Sequence, residues 1–269
     1  MKSHYFKNIF LVFCFLLFAN AATDSVEGRA ADAAEGYETD FLRTKALAEL
    51  GDPIAQFNLG VMYKTGEGVL QDYEKAVNWY SQAAAHGVAE AQFNLGVMYQ
   101  EGYGVRQNFK EAARLFTEAA EQGLARAPYN LGVIYENGLG VPQDTQAAFN
   151  WYLIAAEGGV AEAQFNLGVM YQQGYGTRKD FKEAARWFRE AAQQGIVQAQ
   201  TNLGVMYVMG LGVPRDMVYA HMWLNISASS GAADGQRGRD MAAAEMTSYQ
   251  LAEAEKLARE CLEKKLINC

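Results

Sequence analysis

The apolar positions of this chain fall into short helical stripes separated by glycine. Between residues 88 and 123, Ala91, Leu95 and Met98 recur at spacings of four and three, and Ala112, Phe116 and Ala119 do so again after Gly102-Tyr103-Gly104. Such spacings put side chains on one stripe of an α-helix. The pattern predicts one helix from Ala89 to Gln100 and a second, antiparallel to it, from Phe109 to Gln122. The layout repeats: Asn58, Asn94, Asn130, Asn166 and Asn202 lie 36 residues apart, with Gly60, Gly96, Gly132, Gly168 and Gly204 in step. Residues 88–100 and 160–172 are identical. Five copies result, at 52–87, 88–123, 124–159, 160–195 and 196–231. A fixed period of this length means stacked units, each burying its apolar face against its neighbours. The expected fold class is all-α, a solenoid of helix-turn-helix repeats.

The flanking segments read as caps. Residues 37–51 predict a lone N-terminal helix. Residues 232–269 predict two closing helices, Ala233 to Met246 and Thr247 to Leu266, the latter opened by a Thr247/Gln250 capping box. Its expected buried stripe is Leu251, Leu257, Leu262 and Leu266. Asp72, Asn108, Asp144, Asp180 and Asp216 are N-caps for the second helix of each copy, with Asn108/Glu111 and Asp180/Glu183 resembling full capping boxes. Pro128 stands where other copies have Gln56, Gln92, Gln164 and Gln200, and is expected to delay its helix by a turn.

Composition sharpens one point: 26 glycines against 4 prolines is unusual for so helical a pattern. Most are punctuation. The paired loop glycines (Gly66/Gly68 and counterparts) and the terminal ones (Gly87 and counterparts) imply positive φ. The interior glycines differ, since each costs about 1 kcal/mol relative to alanine. A compensating close approach is expected, with Trp79, Leu115, Trp151, Trp187 and Trp223 filling the space.

Residues 1–21 read as a cleaved secretory signal: Lys2 and Lys7 precede an apolar run from Ile9 to Ala19, closed by Ala19-Asn20-Ala21. An eleven-residue run is short of the roughly 20 residues a spanning helix needs. Residues 22–36 read as a flexible linker. The formal charge is −8, and losing Lys2 and Lys7 makes it −8 − 2 = −10. With no dense basic run, nucleic acid and anionic membrane are excluded as expected partners. A periplasmic or secreted location follows.

Candidate chemistry is sparse. After signal removal two histidines remain, His86 and His221, at non-equivalent positions, which gives no metal set and no Ser/His/Asp arrangement. The G-x-G loops follow helices and recur five times, so turn geometry explains them better than a phosphate cradle. Carboxylate pairs such as Glu118 and Glu121 read as a solvated helix surface. No catalytic residue, cofactor or metal is expected. The five asparagines have two readings: buried side chains bonding a neighbouring loop, or a ladder gripping the main chain of a bound peptide. Cys261 and Cys269 are expected to pair. On one helix they would be about 12 Å apart, beyond the roughly 7 Å a bridge tolerates, so the helix must stop near Lys264 to Leu266 and fold back.

The motifs A-x-x-x-L-G-x-x-Y (Ala55, Leu59, Gly60, Tyr63), G-x-G-x-x-x-D (Gly66, Gly68, Asp72) and A-x-x-W-Y-x-x-A-A-x-x-G (Ala76, Trp79, Tyr80, Ala83, Ala84, Gly87) resemble the Sel1-like repeat, a relative of the tetratricopeptide repeat. The resemblance implies a right-handed α-solenoid with a concave groove, used mainly as a non-catalytic adaptor for protein contacts. Candidate groove residues are the five asparagines and the copy-specific Lys64, Gln100, Glu136, Gln172 and Val208. The exported relatives imply a protein or peptide partner in a bacterial cell envelope. Two alternatives come with the family: a penicillin-binding branch with weak β-lactamase activity, which staples each repeat with cysteines, and an endoplasmic-reticulum adaptor.

Overall fold

The computed structural model describes residues 39–266 and residue 269, in which every regular element is an α-helix. The signal and linker at 1–36 lie outside the described residues. Helix α1 covers 39–49. The five repeats supply α2 (Pro53–Thr65) and α3 (Tyr73–Ala85), α4 (Ala89–Glu101) and α5 (Phe109–Glu121), α6 (Arg126–Asn137) and α7 (Thr145–Glu157), α8 (Ala161–Gln173) and α9 (Phe181–Gln193), and α10 (Val197–Met209) and α11 (Met217–Ser229). The cap is α12 (Ala233–Ala244) and α13 (Ser248–Glu263). No described helix is long and apolar enough to cross a membrane. The chain divides into two compact units, one up to Arg106 and one from Gln107. Within each, helices pack on their successors in chain order. The odd-numbered helices α3 to α11 are called B helices below, and α2, α4, α6, α8 and α10 are called A helices.

In four of the five repeats one aspartate holds the turn at both ends. In the first copy Asp72 accepts from the Lys75 amide at 3.0 Å, capping α3, while its own N–H donates to Tyr63 O at 2.8 Å, capping α2. Asp144, Asp180 and Asp216 donate likewise to Tyr135, Tyr171 and Tyr207 at 2.9 to 3.0 Å. The first loop glycine closes the A helix in the left-handed region, with φ +82° at Gly66 and +80° at Gly174. The second does more. A Cβ on Gly140 (φ +68°) would lie 2.7 Å from the Lys110 amide nitrogen, and one on Gly176 would overlap the Thr145 carbonyl. The loop backbone therefore rests on the first turn of the preceding repeat's B helix. The capping boxes at Asn108 and Asp180 are half formed. Their side chains cap amides at 3.1 Å, but Glu111 and Glu183 turn instead to Arg114 and Arg186.

The interior glycines make the expected close approach, but to a different neighbour. A Cβ on Gly60 would lie 2.6 Å from the Tyr80 ring, on Gly132 2.5 Å from Tyr152, on Gly168 2.5 Å from Phe188, and on Gly204 2.6 Å from Leu224. The filler is the residue after the tryptophan position, one residue being about 100° of helix rotation, while Leu115, Trp187 and Trp223 are buried in other contacts. Trp79 and Trp151 are half-buried. Pro128 corrects another expectation: α6 begins at Arg126, one residue later than its counterparts, not a turn later. Proline there falls in the first turn, where its missing N–H would have had no intrahelical partner.

In the cap, α13 carries the full Thr247/Gln250 box. Its buried stripe is Ala254, Ala258 and Cys261, with Leu251, Leu257 and Leu266 half-buried beside it and Leu262 exposed. Small residues line the contact because α11 presents bulky Met222, Trp223 and Ile226 to the same core. After α13 the chain folds back through Lys265 (φ +53°) and Leu266 (φ +67°), and the Cα atoms of Cys261 and Cys269 lie 5.6 Å apart, within bridging range.

His221 on α11 is 3% exposed and its Nδ1 has no partner. Burial holds its pKa below the ordinary 6.5, while Glu255 of α13 and Asp240 of α12 partly offset this and Arg239 of α12 adds to it. The folded state thus resists the proton that the unfolded chain accepts below about pH 6.5. Stability contributed by neutral His221 is present above that pH and is lost as pH falls through it. Thermal unfolding at pH 7.5 and pH 5 should show this loss, and His221→Phe, which copies Phe149 at the equivalent position, should reduce it. At the interior glycines, Gly168→Ala should gain about 1 kcal/mol of helix propensity and lose about 1 to 3 kcal/mol to overpacking against Phe188. A melting temperature above that of the parent would disprove the contact.

Candidate functional site

Each A helix apart from α6 carries two amide side chains with opposite fates. The glutamines near its start are buried, at 4% exposure for Gln56, 6% for Gln92, 5% for Gln164 and 1% for Gln200. Each reaches back eight residues to a carbonyl in the last turns of the preceding helix: Gln56 to Ala48 at 3.3 Å, Gln92 to Ala84 at 3.5 Å, Gln164 to Ala156 and Gln200 to Ala192 at 3.2 Å. These carbonyls lie among the four at each helix end that lack intrahelical donors. In repeat four the clamp extends further, since Gln194 donates to Gln164 Oε1 at 2.7 Å. The buried, structural role that one reading gave the asparagines belongs to these glutamines, which sit two residues earlier on the inward face.

The asparagines are not buried. Asn58 is exposed and Asn94, Asn130, Asn166 and Asn202 are half-buried. Among the described residues none bonds a neighbouring loop. Asn166 instead meets the Tyr152 hydroxyl, which donates to Glu136 Oε2 at 2.6 Å, so three successive helices share one phenol. Burial first, then Glu136, raise the Tyr152 pKa far above its ordinary value, and the hydroxyl remains a donor. The counterpart Tyr80 hydroxyl is buried without a partner.

The copy-specific positions Lys64, Gln100, Glu136, Gln172 and Val208 are all half-buried. Three of them are tied down through their backbone, where Gln71 caps the Lys64 carbonyl at 2.7 Å, Gln143 caps that of Glu136 at 2.7 Å, and Arg215 caps that of Val208 at 3.0 Å. Six residues separate each from its asparagine, about 240° around the helix, so the two sets flank one another and do not share a stripe. Residues three and seven after the asparagine do share it. In α10 these are Val205, 38% exposed, and Met209, 63% exposed. Met209 is legible in the sequence in the Val208-Met209 ending that replaces polar pairs such as Gln172-Gln173, whereas Val205 matches Val61, Val97, Val133 and Val169 of the other copies. His86 is an exposed cap of α3, and no group of three or more His, Cys, Asp or Glu among the described residues could hold a metal.

Known proteins share this geometry. The Sel1 repeat model matches residues 53–88, 89–124, 125–160, 161–196 and 197–231. The chain belongs to the Sel1 repeat family, whose fold is an all-α repeat solenoid and generally a non-catalytic protein–protein interaction scaffold. It is similar to the crystal structure of a Sel1 repeat protein from Oxalobacter formigenes, at 33% identity and TM-score 0.67 over 76% of this chain and 86% of that one. It is also similar to a protective antigen of uropathogenic Escherichia coli with an SLR fold, at 31% identity and TM-score 0.56 over 86% of this chain and 57% of that one. No curated protein matches the chain.

The division of labour between the amides is measurable. Gln164→Leu, which removes the side-chain donor to the Ala156 carbonyl and leaves that carbonyl only the Gly159 N–H, should cost about 1 kcal/mol in denaturant unfolding. Asn202→Ala should stay within about 0.5 kcal/mol. Equal costs would return the asparagines to a structural role.

Proposed function

We propose that this chain is an exported, non-catalytic adaptor of a bacterial cell envelope, holding a protein or peptide against the A-helix faces of its repeats. One observation carries the reading: each repeat keeps an accessible asparagine on its A helix, while in four of the five a buried glutamine on the same helix does the structural work. An amide offers a donor and an acceptor, the pair that an extended main chain requires. Beside this row the residue six positions on varies among Lys64, Glu136, Val208 and the glutamine shared by Gln100 and Gln172, which suits recognition of one sequence over another.

Export is supported by the N-terminal pattern of Lys2, Lys7 and the Ile9 to Ala19 run, and by the proximity of Cys261 and Cys269. In an oxidising compartment the pair forms a disulfide and pins the end of α13, contributing about 2 to 3 kcal/mol for so short a loop. The penicillin-binding alternative draws on a branch with paired cysteines in each repeat, whereas residues 52–231 contain no cysteine.

A photo-crosslinking residue placed at Asn166, and for comparison at the exposed Glu190 on a B helix, tests the face. Adducts in the envelope fraction should concentrate at Asn166; equal labelling at Glu190 would sink the proposal. Mass spectrometry of protein recovered from the envelope without reductant should find Cys261 and Cys269 joined, and two free thiols would refute the oxidised cap.

A further inference from the structure

The repeats serve as controls for one another, and repeat five differs at one place. The residue before each asparagine is aromatic in the first four copies (Phe57, Phe93, Tyr129, Phe165) and Thr201 in the fifth. In three of those copies the ring packs on the aromatic residue of its own B helix. Phe57 with Tyr80, Tyr129 with Tyr152 and Phe165 with Phe188 all have centroids 5.9 Å apart. In repeat five both rings are gone, replaced by Thr201 and Leu224, and the alanine found at Ala83, Ala119, Ala155 and Ala191 becomes Ser227.

Of these three, Thr201 lines a cleft of about 410 Å³ between the first turns of α10 and the Ser230 to Asp234 turn into α12. Beneath the surface the Thr201 hydroxyl pairs with that of the buried Ser227 at 2.6 Å. Asn202 and Gln198 supply amides to the lining, and Val197, Ala232 and Ala233 supply apolar wall. The junction is also under-satisfied. Ser230 stands where Gln194 serves Gln164, and its hydroxyl turns back to Ile226, leaving the Gln200 side-chain oxygen buried without a donor. Elsewhere on these helices, Val205 and Met209 on α10 and Met241 on α12, the last 72% exposed, leave further apolar surface open.

We infer that this cleft is a specificity pocket for one aromatic side chain, tyrosine or phenylalanine, of a bound peptide, which supplies in trans the ring that repeat five lacks. The occupant follows from the internal template, because the chain itself places a ring at this position in every other repeat. The Thr201 hydroxyl, which lines the cleft, suits a tyrosine phenol, and Asn202 is placed for the peptide's main chain. The inference rests on the peptide-binding reading above and narrows it to one anchor, the kind of buried aromatic contact that dominates recognition energies.

The test uses the ¹⁵N-labelled chain titrated with N-acetyl-tyrosinamide, N-acetyl-phenylalaninamide and N-acetyl-alaninamide. The aromatic amides should give saturable shifts at the backbone amides of Thr201, Asn202 and Gly231 to Ala233, and the alanine amide none. Thr201→Phe, which rebuilds the chain's own ring, should weaken the aromatic probes by about tenfold or more. Ala233→Trp, at an exposed rim position that leaves folding untouched, should do the same. No shifts in the parent, or shifts that persist in both variants, would overturn the pocket. Crosslinks retained at Asn166 with a silent pocket remove this inference alone, and crosslinks lost as well remove the groove reading with it.

Discussion

A helix of thirteen residues leaves four amides at one end and four carbonyls at the other without intrahelical partners, and this structure is organised around supplying them. In four of the five loops an aspartate caps one helix with its side chain and the previous helix with its N–H. The glutamine of an A helix returns to the last carbonyls of the helix before. Residues such as Gln71, Gln143 and Arg215 cover a further carbonyl from seven positions away. Short helices are marginal alone, so the same contacts that finish each helix also join it to its neighbour. Secondary and tertiary structure are stabilised by one set of bonds.

Glycine makes that arrangement geometrically feasible. At the interior position it admits the ring of Tyr80, Tyr152 or Phe188, and the lost helix propensity is offset by a buried aromatic contact. At the second loop position it lets backbone lie on backbone between repeats, which a Cβ forbids by overlap as well as by torsion. With the spacing between copies fixed by main-chain contacts, side chains elsewhere on the A helix can vary without altering the stack. That freedom is the physical basis for reading the asparagine row as a recognition surface.

The period, the helix pairs, the aspartate caps and the positive-φ glycines are all legible in spacing alone, because a repeated backbone geometry leaves repeated residue types. Rotation about a helix axis is not. The glycine notch is filled by the successor of the tryptophan position and not by tryptophan itself, and the buried amide is glutamine, two residues ahead of asparagine. One or two residues of offset is about 100° to 200° of rotation, and a bare period cannot resolve it when neighbouring columns repeat equally well. Thr201 is visible as a broken column, but its meaning needs the ring partners of the other copies.

Pro128 breaks the glutamine column in the same way, with an effect on folding and not on recognition. The α5–α6 junction lacks the side-chain amide that joins the other junctions, so the array is a series of couplings of unequal strength. In a nearest-neighbour stack, the boundary between folded and unfolded repeats forms most readily where coupling is weakest. Parting the array at the α5–α6 junction therefore breaks one side-chain bond fewer than at the others, and leaves whole repeats intact on either side.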